Sequence, residues 1–356
     1  MTEERQAKLD QLAKAKHIEI DNYQSTVQAI FAFAHAALWD PNTDDFVPDS
    51  LVAIGPKLKT SKENAVCPSN AVTPDIVVGI GGKWGSVAEV KRTIPRNPDH
   101  WGDDLQKQMR KYDDSLSGWP QTQQPLPSHC LTVLVHHTRK VDVVDYLSEH
   151  IEAGDLQFER DFAVVAFQRA RDLEEQISLE RCYGRLTDPE LDEELRRVLT
   201  IKLDYLITRY QLHFYDSPPP LPYMMAVIWN EVLPSLITVA QYKESREKKR
   251  SPHVVVTDDA IARDLQSRLT RCLPPAGQNC RTIPRKQWVR DALEELVRQG
   301  HGKKTESGSY DIEYRSFTDA QGRFVRKLAD SQLPRDRKPR KTAQPQKQMA
   351  LFDPDM

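Results

Sequence analysis

This 356-residue chain has little that would pair cysteines. Its five, at positions 67, 130, 182, 272 and 280, are odd in number and form no CxxC pair. That argues against a disulfide framework and against a structural zinc site, and a reduced, cytoplasmic setting is expected. No long apolar run is present either: the longest, "AIFAFAHAAL" at 29–38, falls well short of the ~20 residues a membrane helix needs. The first residues mix acids and bases, unlike a signal peptide. The formal net charge is only −2, so any affinity for nucleic acid must come from local basic patches. The glycine-rich "GIGGKWG" lacks the GK[ST] of a phosphate loop and does not open a helix. No internal repeat is visible. What remains is ordinary composition, with 39% hydrophobic and 29% charged residues, in a chain long enough for two domains.

The pattern predicts an α/β fold. Residues 2–16 read as a short, charged amphipathic arm. Tyr23, Val27, Ile30, Phe31, Ala34 and Leu38 then share one helical stripe. A strand is expected in "DFVPDSLVAIGPKLK", then two β-branched runs at 75–80 and 86–92, joined by a tight turn at Gly81-Gly82. A helix at 101–116, a strand at 129–138, a helix at 141–154 and a strand at 161–168 complete an α/β sandwich of residues 1–170. Residues 171–221 read as a mostly helical connector ending in the stiff "SPPPLP". The segment 222–318 reads as three helices and a hairpin. The tail at 319–356, with "LPRDRKPRKTAQPQK", is expected to be disordered and basic.

"TPDIVVGIGGKWGSVAEVKR", at 73–92, carries a contradiction. Strands that bury valine also hold Asp75, Glu89 and Lys91, and buried charge is costly unless it is paired or binds metal. Residues i and i+2 of a strand share a face, so Glu89 and Lys91 converge, and Asp75 reaches them from the neighbouring strand. Two carboxylates there suit Mg²⁺, which prefers hard oxygens and keeps waters for a phosphate. A lysine beside them suits the handling of an attacking water and of transition-state charge.

The "PD" at 74–75 followed by "EVK" at 89–91 resembles the motif of the PD-(D/E)XK nuclease superfamily, with its restriction-endonuclease-like αβββαβ core. The resemblance covers about residues 15–170. It implies Mg²⁺ or Mn²⁺ held by Asp75, Glu89 and the carbonyl of Val90, with Lys91 as the catalytic lysine. Gln108 and Tyr112 in "QMRKY" resemble the QxxxY helix motif of RecB-type members, and at i and i+4 they share a helix face. Many members also use an acid on the first helix, for which Asp21 is the candidate, with Glu19 close behind.

The segment 222–318 resembles a winged-helix domain. That resemblance implies a recognition helix at 284–299, with Arg281, Arg285, Lys286 and Arg290 facing DNA and Lys303 and Lys304 on the wing. "QMALF", with Gln348, Leu351 and Phe352, resembles the peptide by which bacterial proteins dock on the DNA-polymerase sliding clamp. His136-His137 is not a metal pair, since adjacent strand residues point to opposite faces. "ESREKKR" at 244–250 reads as a solvated loop.

Together these readings imply a metal-dependent DNA nuclease of bacterial or phage-related defence or repair. A partner ATPase or defence-complex subunit is compatible with that role, and double-strand cutting would favour a homodimer. A non-catalytic DNA-binding adaptor and an RNA-directed nuclease are the alternatives.

Overall fold

The computed structural model describes residues 3–61, 71–91, 98–120, 123–170, 176–202, 213–271 and 283–334. It is a mixed α/β structure. Seven strands form its main sheet: β1 (Ser50–Ile54), β2 (Ile76–Ile80), β3 (Trp84–Lys91), β4 (His129–His136), β5 (Phe162–Ala170), β6 (Gln176–Gly184) and β7 (Leu199–Lys202). Their spatial order is their sequence order. The β3–β4 and β4–β5 pairs are parallel and the rest antiparallel. Helices supply both parallel crossovers: α2 (Pro98–Tyr112) before β4 and α3 (Lys140–Glu152) before β5.

Strand alternation builds two cores, one on each face. Val78, Ile80, Ala88, Leu134 and Val165 point to one side, where α1 (Glu3–Leu38) lays down Ile20, Tyr23, Val27, Ile30 and Phe33. Val77, Val87, Leu131, Val133 and Val164 point to the other, against Leu105 and Met109 of α2 and Val143 and Leu147 of α3. Strands β1 to β4 are buried on both faces, which is why they read as nearly unbroken apolar runs.

Helix α1 is one continuous 36-residue helix, where an arm followed by a separate helix was expected. No glycine or proline interrupts residues 3–38, so nothing breaks it. The connector also differs from expectation. Its described part holds β6, α4 (Pro189–Arg196, capped by Asp188) and β7, so the sheet continues where helix was expected.

The C-terminal part contains α5 (Leu221–Val227), a π-helical turn at Ile228–Val232, α6 (Leu233–Leu236) and α7 (Val239–Glu247). Pro234 stands two residues after the end of the π turn, in keeping with the missing donor of proline. After β8 (His253–Val256) come α8 (Asp258–Arg271), α9 (Lys286–Arg298), β9 (Gly302–Lys304) and β10 (Tyr310–Glu313), with β8, β10 and β9 in one antiparallel sheet.

Residues Ala320–Gln332, assigned from the sequence to the disordered tail, instead form helix α10. It buries Phe324, Val325 and Ala329 against α1 and α5. Its N-cap, Asp319, accepts from the Gly322 N–H at 2.7 Å. One apolar core therefore runs from the sheet, across α1, into the C-terminal helices. No single described helix is long and apolar enough to cross a membrane.

Candidate metal and nuclease site

The site forms where β3 outruns β2. Antiparallel pairing of the two strands ends at Ile76↔Ala88, while β3 stays paired to β4 as far as Lys91↔Val135. Asp75 and Glu89 stand opposite each other just past that end. The turn that joins the two strands is permitted by Gly82, whose φ of +71° belongs to the left-handed region.

Asp75 Oδ2 accepts from the Val90 N–H at 2.7 Å. Glu89 is buried. Its Oε1 accepts from Lys91 Nζ at 3.2 Å and its Oε2 from the Tyr112 hydroxyl at 3.0 Å. Lys91 Nζ also donates to Gln108 Oε1. Helix α2 thus lies over the strand ends, with Gln108 and Tyr112 on one face and Met109 in the core behind them. His129 Nε2 holds the end of that helix by donating to the Tyr112 carbonyl at 3.0 Å. Burial lowers the His129 pKa to about 4, so it does this as a neutral ring.

Burial and then the charge of Glu89 push the Asp75 carboxyl up to about 7, against the opposing pull of the Val90 N–H and Lys91. The Tyr112 hydroxyl is pushed up by burial and by the same carboxylates, so it stays a donor. A buried carboxyl whose proton affinity is raised by burial and by a second carboxylate forms a site that a divalent cation would discharge.

The donor set fits Mg²⁺ or Mn²⁺: hard oxygens from Asp75 and Glu89, one Asp75 oxygen without a described partner, and the backbone of Val90 between them. Among the described residues no cluster of three or more His, Cys, Asp or Glu side chains suited to a metal is present.

Of the residues singled out from the sequence, the structure brings together Asp75, Glu89, Val90, Lys91, Gln108 and Tyr112. It does not bring in Asp21. That side chain is exposed on α1, which packs on the opposite face of the sheet. Glu19 is exposed on the same helix.

Asp216 was not foreseen. It adds to the upward push on Asp75. It also packs on Gly55, where an added Cβ would lie 2.4 Å from the Asp216 Cβ, and the Gly55 N–H donates to the Asp75 carbonyl at 3.0 Å. No local pattern could have shown this, because the proline-rich segment holding Asp216 lies some 140 residues downstream of Asp75.

Five of the six expected DNA-facing cations are described, and each is engaged with an acid. Arg285 pairs with Asp216 at 2.6 Å, Arg290 with Asp258 at 2.8 Å, and Lys286 with Asp258 and Asp259 at 3.6 and 3.5 Å. Lys304 pairs with Glu294 at 3.1 Å, and Lys303 with Asp311 at 3.9 Å. Arg281, Gln348, Leu351 and Phe352 lie outside the described residues.

Compared with family models, curated proteins and solved structures, the chain finds no match in any of the three.

Proposed function

We propose that this chain is a metal-dependent DNA nuclease of the PD-(D/E)XK type, hydrolysing phosphodiester bonds. The observation that carries the reading is the convergence of Asp75, Glu89 and Lys91 at the ends of two paired strands under a helix bearing Gln108 and Tyr112. The mixed sheet and the element order up to β5 support it, since these residues sit at the ends of paired strands.

Asp75, Glu89 and the Val90 carbonyl would hold Mg²⁺ or Mn²⁺. The bound ion would lower the pKa of a water and neutralise the leaving oxygen. Gln108 positions Lys91 by accepting from its ammonium, which leaves the cation poised to orient a nucleophilic water and to stabilise charge building on phosphorus. Tyr112 orients Glu89 by donating its hydroxyl to Oε2.

The C-terminal part, with α8 and α9 beside the β8–β10–β9 sheet, supports a winged-helix reading, and DNA is the partner proposed for it. A clamp-docking peptide at 348–352, a cytoplasmic setting and a role in defence or repair complete the proposal.

A second reading, a non-catalytic DNA-binding adaptor, draws on one feature: both Glu89 oxygens are already satisfied, by Lys91 and by Tyr112. Titration calorimetry with Mn²⁺ separates the two. The nuclease reading expects binding that is lost in Asp75→Asn and in Glu89→Gln. An adaptor expects no heat from the wild type.

A further inference from the structure

The cations of the C-terminal part fall into two sets. Those of α9 and the β9–β10 hairpin each have a carboxylate partner, as described above for Lys286, Arg290, Lys303 and Lys304, with Arg298 paired to Glu295. Those of α10 do not. Arg323 and Arg326 are exposed and make no ion pair among the described residues. Lys327 Nζ donates to two neutral acceptors, the Gln299 carbonyl at 3.0 Å and His301 Nε2 at 2.9 Å. Its position at i+4 from Arg323 places it on the same helical face.

These three cations, with His17 of α1 and Phe317, line an open cleft of about 760 Å³. The Arg323 guanidinium lies 4.2 Å from the centre of the Phe317 ring. The nearby acids are already engaged: Asp319 caps α10 through Gly322, Asp330 pairs with Arg5 at 3.0 Å, and Glu313 pairs with Arg315. Arg323, Arg326 and Lys327 outnumber the one carboxylate of the lining, Asp319, so the cleft carries net positive charge among the described residues. Burial and then Arg323 push the Lys327 ammonium down, and burial, Lys327 and Arg323 hold His301 at about 4.

We infer that this cleft between α1 and α10 binds the phosphodiester backbone of a nucleic acid, through Arg323, Arg326 and Lys327. Cations along one helix face suit successive phosphates, and the arginine-on-aromatic surface of Arg323 and Phe317 suits an adjoining base. An ion-paired residue must give up its carboxylate before it meets a phosphate, whereas Arg323 and Arg326 have nothing to give up. The inference shares the nucleic-acid partner of the proposed function but does not depend on the metal site.

The test uses the full chain carrying Lys91→Ala, without metal, so that catalysis cannot intrude. Fluorescence anisotropy with labelled duplex and single-stranded DNA then compares Arg323→Ala/Arg326→Ala with Lys303→Ala/Lys304→Ala. The α10 double variant is expected to lose roughly ten-fold in affinity and about two in its salt slope. The hairpin double variant should change less than two-fold. Arg323→Lys/Arg326→Lys should keep most of the affinity, which separates charge from a folding defect.

Equal affinity for the α10 double variant and its parent would overturn the inference. So would a parent that binds anionic lipid vesicles but no DNA. Cleavage assayed separately on the wild type reports on the metal site, so failure of one reading is distinguishable from failure of the other.

Discussion

Replacing Asp75 with asparagine should stabilise the metal-free protein at alkaline pH. The carboxyl is raised from 3.8 to about 7, first by burial and next by the charge of Glu89. The folded state therefore holds this proton more tightly than the unfolded chain does. With respect to this group, stability is greatest below about pH 4, falls as the pH rises, and reaches its full loss above about pH 7. A rise of that size corresponds to about 4 kcal/mol. His129 and His301 titrate in the opposite sense, since burial lowers both to about 4 and stability tied to them is lost as the pH falls. The wild-type curve mixes these contributions, and the difference between wild type and Asp75→Asn isolates the carboxylate. Urea unfolding from pH 4 to pH 8 should show the variant gaining several kcal/mol relative to wild type across that range. Asparagine keeps an oxygen for the Val90 N–H, so the strand contact survives. Saturating Mn²⁺ should stabilise the wild type at pH 8 but not the variant. A difference between the two proteins that stays flat from pH 4 to pH 8 would refute the reasoning.

Further predictions follow from single contacts. Tyr112→Phe removes the donor to Glu89 Oε2, and a hydrogen bond to a charged group is worth about 2 kcal/mol; urea unfolding should register that loss, and Mn²⁺ affinity should fall with it. Gly55→Ala combines a φ of +56° with a Cβ forced onto Asp216, and should cost about 2–4 kcal/mol, read from the urea midpoint. Asp216→Asn should move the Asp75 midpoint downward in an NMR carboxyl titration, because one of the charges raising it is gone. The same variant frees Arg285 and should strengthen DNA binding at low salt, measured by anisotropy.

The sequence carried much of the candidate site. The β-branched apolar runs at 76–80 and 86–90, the glycines between them, and the four-residue spacing of Gln108 and Tyr112 foreshadow the placement of Glu89 and Lys91 beneath α2. What escaped had physical reasons. β6, "QISLERCYG", has intermediate exposure at most positions and only Ile177 and Leu179 buried, so its charges masked a two-residue period. The charged first half of α1 resembled an arm because few of its residues are buried, yet it holds no helix breaker. α10 adjoins a proline-rich basic stretch, and its apolar residues Phe324, Val325 and Ala329 were overshadowed by that composition. The involvement of Asp216 is a tertiary fact, created when the chain after β7 returns to the end of β1.

The central claim is tested most directly by incubating the purified wild type and Lys91→Ala with supercoiled, linear duplex and single-stranded DNA, with Mg²⁺ or Mn²⁺ and with EDTA. The account predicts metal-dependent cutting by the wild type that disappears in Lys91→Ala, while both proteins bind DNA equally. Cutting that persists in EDTA, or that Lys91→Ala retains in full, would contradict it.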